Sequence, residues 1–142
     1  MDWSKIKELE NELSTKWPAL STATHQDFLS REWSQYGTCS GLTQFDYFET
    51  TLKLYDAIDL DNKLNSINVV PGPRYNPYTV LDNFNARFGF RIAVYCGNKP
   101  SVGPLVEIIT RFEFRINRDG ETVESVEGYG NYCRTPAVEF PF

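Results

Sequence analysis

Phe28-Leu29-Ser30-Arg31-Glu32-Trp33-Ser34-Gln35-Tyr36-Gly37-Thr38-Cys39 holds an amphipathic helix and its stop signal. Phe28, Leu29 and Trp33 recur at the spacing of one apolar helical face, within a helix expected from about His25 to Tyr36. Gly37 reads as a left-handed terminator of that helix. At about 100° per residue, Arg31, Glu32, Gln35 and Tyr36 share one arc of the polar side. That arc gathers a cation, a carboxylate, an amide and a phenol.

Outward from this stretch the first half of the chain stays helical. Asp2 or Ser4 caps a helix with Ile6, Leu9 and Leu13 on one face, ending before Trp17-Pro18. Thr43 caps the strongest helix, whose stripe is Phe45, Phe48, Leu52 and Tyr55. Leu60 to Ile67 is a shorter helix, and Thr79 caps another that Gly89 closes. Then the period changes to two. Phe90 to Tyr95 alternates as a strand, and Leu105 to Ile116 is a β-branched and aromatic run. Asn117-Arg118-Asp119-Gly120 supplies a hairpin turn, with Thr122 to Val126 returning. Helices followed by an antiparallel sheet make an α+β domain.

A chain of 142 residues fits one domain, residues 1–142. Its 41% hydrophobic and 23% charged content is globular. No apolar run approaches the roughly 20 residues of a membrane helix. A net charge of −5 argues against avid, nonspecific binding to nucleic acid but leaves a local RNA pocket open. Metal-ligand spacings, phosphate-binding glycine loops and serine-nucleophile elbows are absent from the sequence, so no metal and no cofactor are implied. His25 is the single histidine, six positions before Arg31. It reads as an exposed or capping residue rather than a relocated catalytic group. Tyr75, Tyr78 and Phe84 are rings able to stack bases or to fill a core. Three cysteines suit either one bridge plus a free thiol or three reduced, buried side chains.

Glu32-Trp33 and Gly37-Thr38-Cys39 resemble, without a gap, the second active-site segment of the ribonuclease T2 family, His-Glu-Trp-x-Lys-His-Gly-Thr-Cys. Asp46-Tyr47-Phe48 to Leu54 is similar to the family's following helix. Val70-Pro71 with Tyr78-Thr79, Leu105-Val106-Glu107-Ile108, and Cys133 with Glu139-Phe140-Pro141 resemble later family stretches. The resemblance implies a T2-like fold, helices on an antiparallel sheet. It also implies that the family's N-terminal portion, with its His-Gly-Leu-Trp-Pro segment, has no counterpart here.

The family chemistry is attack of a ribose 2′-OH on phosphorus to give a 2′,3′-cyclic phosphate. Histidines transfer the protons, and a Glu and a Lys stabilise the pentavalent phosphorus. At those positions this chain has Arg31 for His, Gln35 for Lys and Tyr36 for His; Glu32 alone persists. Arginine holds its proton at any useful pH, glutamine is uncharged, and a phenol titrates near ~10. Losing one general acid or base costs about 10²–10⁴ in rate. The resemblance therefore implies a catalytically disabled homologue, of the kind plants keep as RNase-related storage proteins. The alternative is a weak endoribonuclease or RNA-binding protein that keeps Arg31, Glu32 and Trp33 as nucleotide contacts. Arg31 and Glu32 read more simply as a local surface ion pair or a buried scaffold pair.

By the same resemblance Cys39 pairs with Cys96, leaving Cys133 free, in a secreted or vacuolar protein. The N-terminus carries no signal peptide. Weak RNA or nucleotide partners are implied, no membrane, and either the Met1–Trp17 helix or a homodimer covering the face that the family's N-terminal portion would occupy.

Overall fold

The computed structural model describes residues 1–19, 24–98, 106–117, 123–126 and 130–141. The chain packs as two compact units, Met1–Asp59 and Leu60–Phe142.

The first unit is helical. Asp2 accepts from the Ser4 N–H and starts a 3₁₀ segment, Trp3–Leu9, which runs into α1, Glu10–Lys16. α2 spans His25–Gln35 and α3 spans Gln44–Ile58. Each is capped by a threonine, Thr24 accepting from Asp27 N–H and Thr43 from Asp46 N–H, which satisfies an otherwise orphaned donor. Ile6, Leu9, Leu13, Leu29, Phe48 and Leu52 form the core, as the periodicity predicts. Of the α3 stripe, Phe48 and Leu52 are buried, whereas Tyr55 sits at the helix end and is exposed. Buried Gln44 ties the N-terminus down: its amide donates to Asp2 O at 2.7 Å, and Asp2 N–H donates back at 3.0 Å. Lys16 bridges Glu12 and Asp56, each at 2.6 Å, linking α1 to α3.

The second unit lays α4, Leu60–Ser66, and α5, Pro77–Phe88, over strands. The cap of α5 is Asn76, three residues before the expected Thr79. Pro77 fits the first helical position, and Asn76 accepts from the Tyr78 N–H. Gly89 closes it at φ +78°, as expected. The strands are β1 (Arg74–Tyr75), β2 (Ala93–Asn98), β3 (Glu107–Glu113), β4 (Arg115–Ile116), β5 (Val123–Glu124), β6 (Asn131–Tyr132) and β7 (Val138–Glu139). Five of them form one sheet in the order β1-β7-β3-β2-β6. The core joins Leu64, Val69, Val80, Leu81 and Phe84 to Ile92, Val94, Ile109 and Val138.

The sheet is mixed, which corrects the expectation of an antiparallel one. β2 and β3 are antiparallel, but β6 lies parallel to β2 and β7 parallel to β3. Two-residue strands carry no periodicity from which their direction can be read. β2 also begins three residues later than Phe90, because Arg91 spends its backbone groups elsewhere. Its N–H donates to Ser125 Oγ at 3.0 Å, and its carbonyl accepts from Val126 N–H at 3.0 Å. The expected hairpin is present as β4 and β5, paired Arg115↔Glu124 and Ile116↔Val123. Its Asp119-Gly120 turn lies outside the described residues.

Candidate functional site

α2 ends in a tight 3₁₀ turn, Gly37–Cys39, and this turn requires glycine for a reason other than backbone handedness. Gly37 is absent from the residues with positive φ, which corrects its reading as a left-handed stop. It is buried against the indole of Trp33, where a Cβ would stand 2.7 Å from Cζ3 and closer still to Cε3. Trp33 in turn packs edge-on to Tyr47, with centroids 5.7 Å apart, and against Phe48 at 6.4 Å. The indole is a wedge between α2 and α3, which places the rest of the polar arc.

Arg31, Gln35 and Tyr36 are exposed, while the Glu32 side chain is only 16% exposed. The Arg31 Nε lies 3.8 Å from Glu32 Oε1, a loose contact that leaves the guanidinium over the Phe28 ring at 5.7 Å. Tyr47 was not singled out in the sequence as a site residue, yet it sits where it senses this arc. Burial pushes its phenol above the ordinary value, and the nearby Glu32 carboxylate adds to that, followed by Tyr36 and Cys39. The signal available was the spacing of Trp33 and Tyr47 on two helices whose apolar faces both end in aromatics.

His25 is half-buried at the first turn of α2, and Thr24 takes the capping role instead. Its Nε2 is buried without a hydrogen-bond partner among the described residues. Phe84 is wholly buried between Phe88 and Phe90, so it stacks on protein rings rather than on a base. The Tyr75 hydroxyl is occupied by the backbone of Val70, donating to its carbonyl at 3.0 Å and accepting from its N–H at 2.9 Å. Among the described residues no cluster of His, Cys, Asp or Glu is suited to hold a metal ion. Nor is any described helix long and apolar enough to cross a membrane.

The disulfide is Cys96–Cys133, and Cys39 is a free, exposed thiol. This overturns the Cys39–Cys96 pairing. Parallel pairing of β2 with β6 aligns Tyr95 with Tyr132, so the next residues on both strands are the two cysteines, with Cα atoms 4.9 Å apart. Cys39 belongs to the turn after α2, where its Sγ lies 3.2 Å from Tyr36 O.

A helical unit carrying a polar arc on α2, followed by a mixed five-stranded sheet, is an architecture shared with solved ribonucleases. Human RNase T2 matches with a TM-score of 0.85 at 23% identity, covering 99% of this chain and 74% of that one. An RNase-related protein from Calystegia sepium matches with a TM-score of 0.83 at 21% identity, over 99% and 70% of the two chains. The Ribonuclease T2 family profile matches residues 1–125, and the chain belongs to that family. Ribonuclease MC from Momordica charantia is 31% identical over 127 residues, 86% of this chain and 64% of its own length. Ribonuclease DdI from Dictyostelium discoideum is 33% identical over 99 residues, 66% of this chain and 44% of its own. The chain thus spans about half to two-thirds of the length of these relatives.

Proposed function

We propose that this chain is a T2 homologue without ribonuclease activity, a storage or binding protein of the secretory pathway. The α2 arc carries the reading. Transphosphorylation needs one group to take the 2′-OH proton and another to deliver a proton to the leaving 5′-oxygen. Arg31 offers a guanidinium that only donates, Gln35 a neutral amide and Tyr36 a phenolic hydroxyl, where the family pattern has two imidazoles and an ammonium. Glu32 keeps a carboxylate, but one group does not fill both roles. A disulfide at Cys96–Cys133 suits an oxidising compartment, which supports a secreted or vacuolar location.

Incubation of the purified protein with single-stranded RNA, from acid to neutral pH, should yield no 2′,3′-cyclic phosphate above the buffer control. A cyclic product that disappears in Glu32→Ala would overturn the proposal. A second reading, weak nucleotide binding on α2, is favoured by the exposed Arg31 guanidinium over Phe28. Relatives also have solved structures in complex with 5′-UMP and 5′-AMP. Loss of nucleotide binding in Arg31→Ala is the mark of that reading.

A further inference from the structure

In the second unit α4 ends at Ser66 and runs into a turn beside α5. The Val69 N–H donates to Leu64 O at 2.9 Å and the Asn68 N–H to Asn65 O at 3.0 Å, which satisfies two of the last carbonyls of α4. That closure holds Asn68 in the left-handed region, at φ +59°. Glycine fits such a position with least strain. Asparagine is among the few other residues that accept it, and unlike glycine it brings a carboxamide. On α5, Asn83 and Arg87 stand one turn apart on the same face, with Ala86 beside them. Both ends of α5 are pinned, by the Asn76 cap and by Gly89.

Ile67, Asn68, Asn83, Ala86 and Arg87 line one open cavity of about 350 Å³. That volume is at the small end of ligand sites, the size class of one sugar ring. Ile67, half-buried and packed on the core, and the Ala86 methyl supply its apolar surface. The side chains of Asn68, Asn83 and Arg87 have no hydrogen-bond or ion-pair partner among the described residues, so their capacity is open to a ligand. Each carboxamide brings two donors and an acceptor oxygen, and the guanidinium brings donors only. Such a set asks for hydroxyls, which donate and accept, and for one anionic group on Arg87. A second negative charge is disfavoured. Arg87 is in the last turn of α5 and Asn68 follows the end of α4, so the cavity lies at the carbonyl ends of both helices.

We infer that this cavity binds a uronic acid unit, a sugar ring with one carboxylate: the carboxylate on the Arg87 guanidinium, ring hydroxyls on the Asn68 and Asn83 carboxamides, and a C–H face of the ring on Ile67 and Ala86. A guanidinium fork meets a carboxylate with two parallel hydrogen bonds, which fixes the orientation of the ring. Neighbouring hydroxyls suit a carboxamide, one accepting from its N–H and the other donating to its oxygen. A neutral hexose keeps the hydroxyl contacts and loses the charged one. Inorganic phosphate keeps only the charged one. The ring is the same whether the acid is free or a unit of an acidic polysaccharide. This site lies wholly within the second unit and depends neither on the α2 arc nor on the absence of ribonuclease activity.

Calorimetric titration of the full chain with galacturonate, glucuronate, the matching neutral hexoses, inorganic phosphate and a galacturonate trimer tests the inference. At least one uronate is expected to bind at millimolar concentration, with its neutral hexose about tenfold weaker. A trimer that binds more tightly than the monomer marks a polysaccharide as the source, and equal binding marks the free acid; both support the site. Arg87→Gln should remove the advantage of the uronate over the hexose. Asn83→Ala should weaken both, as should Asn68→Gly, which suits the left-handed backbone. Arg87, Asn83 and Asn68 are exposed, so these variants should fold, which an unchanged melting temperature verifies. Equal binding of uronate and hexose overturns the inference. So does phosphate binding as tight as the uronate, uronate binding unchanged in Arg87→Gln, or no binding of either uronate at tens of millimolar.

Discussion

Replacing Glu107 by glutamine changes one atom in a buried carboxylate, and the structure says what that costs. Glu107 is 7% exposed. It accepts the Arg134 N–H at 2.9 Å and the Thr135 N–H at 2.6 Å on Oε2, with a longer contact from Arg134 to Oε1 at 3.2 Å. These two donors belong to the segment leading into β7, so the carboxylate anchors that segment to β3. A hydrogen bond to a charged group contributes about 1.5–3 kcal/mol, against about 0.5–1.5 for a neutral one. Two bonds losing their charge, and an amide NH₂ forced beside backbone donors, give a loss of roughly 2–4 kcal/mol. For a chain of this length that lowers the melting temperature by about 6–12 °C.

The pH dependence has a definite sign. Burial pushes the Glu107 carboxyl up, but the hydrogen bonds from Thr135 and Arg134 outweigh it, and its pKa in the folded state lies below the ordinary value. Its contribution is therefore full above the unfolded value near ~4.3 and is lost as pH falls through the folded value. Urea unfolding of both proteins from neutral to acid pH should show the gap at its widest near neutrality and narrowing below about pH 4. A gap under about 0.5 kcal/mol at pH 7, or one that stays constant into acid, would refute the reasoning.

Further outcomes follow from packing and the disulfide. Reducing Cys96–Cys133, which are 37 residues apart, should cost about 4 kcal/mol by chain entropy, while Cys39 alkylates in the native protein. Peptide mapping and denaturant titration check both, and a bridge containing Cys39 contradicts them. Gly37→Ala should destabilise by about 1–3 kcal/mol through overlap with Trp33. It should also alter the near-ultraviolet dichroism of that indole; a substitution without effect on either would mean the wedge is loosely packed.

The helical half was legible because its signals are long and redundant. Thr43 at a cap, Phe48 and Leu52 one turn apart, and Gly89 at a left-handed stop each repeat one message over several residues. The helix that carries Arg31, Glu32 and Gln35, with Tyr36 as its cap, was readable from spacing along one segment. What escaped was set by partners far away in sequence. The direction of β6 and β7, and with it the Cys96–Cys133 bridge, depends on which strand each two-residue segment meets. Gly37 escaped for a related reason: its need for glycine comes from the Trp33 ring, and a turn signal alone points to the wrong cause. The row of Arg111, Tyr95 and Tyr132, side by side on β3, β2 and β6, is likewise invisible along any one strand.

The placement of β7 bears on how the chain is made. Val138–Glu139 lies inside the sheet, between β1 and β3, and among the described residues β1 has β7 as its one ladder partner in that sheet. Arg74 thus waits for Glu139, and β1 finds this neighbour only once the chain has been made about 65 residues further. Pairing over such a separation closes late and slowly, because loop entropy is lost before the contacts form. During synthesis the helical unit, whose core is complete by Leu52, has all its parts available while the sheet still lacks its inner strand. A chain released before Val138–Glu139 is made therefore leaves β1 without this partner and β3 without its neighbour on that side.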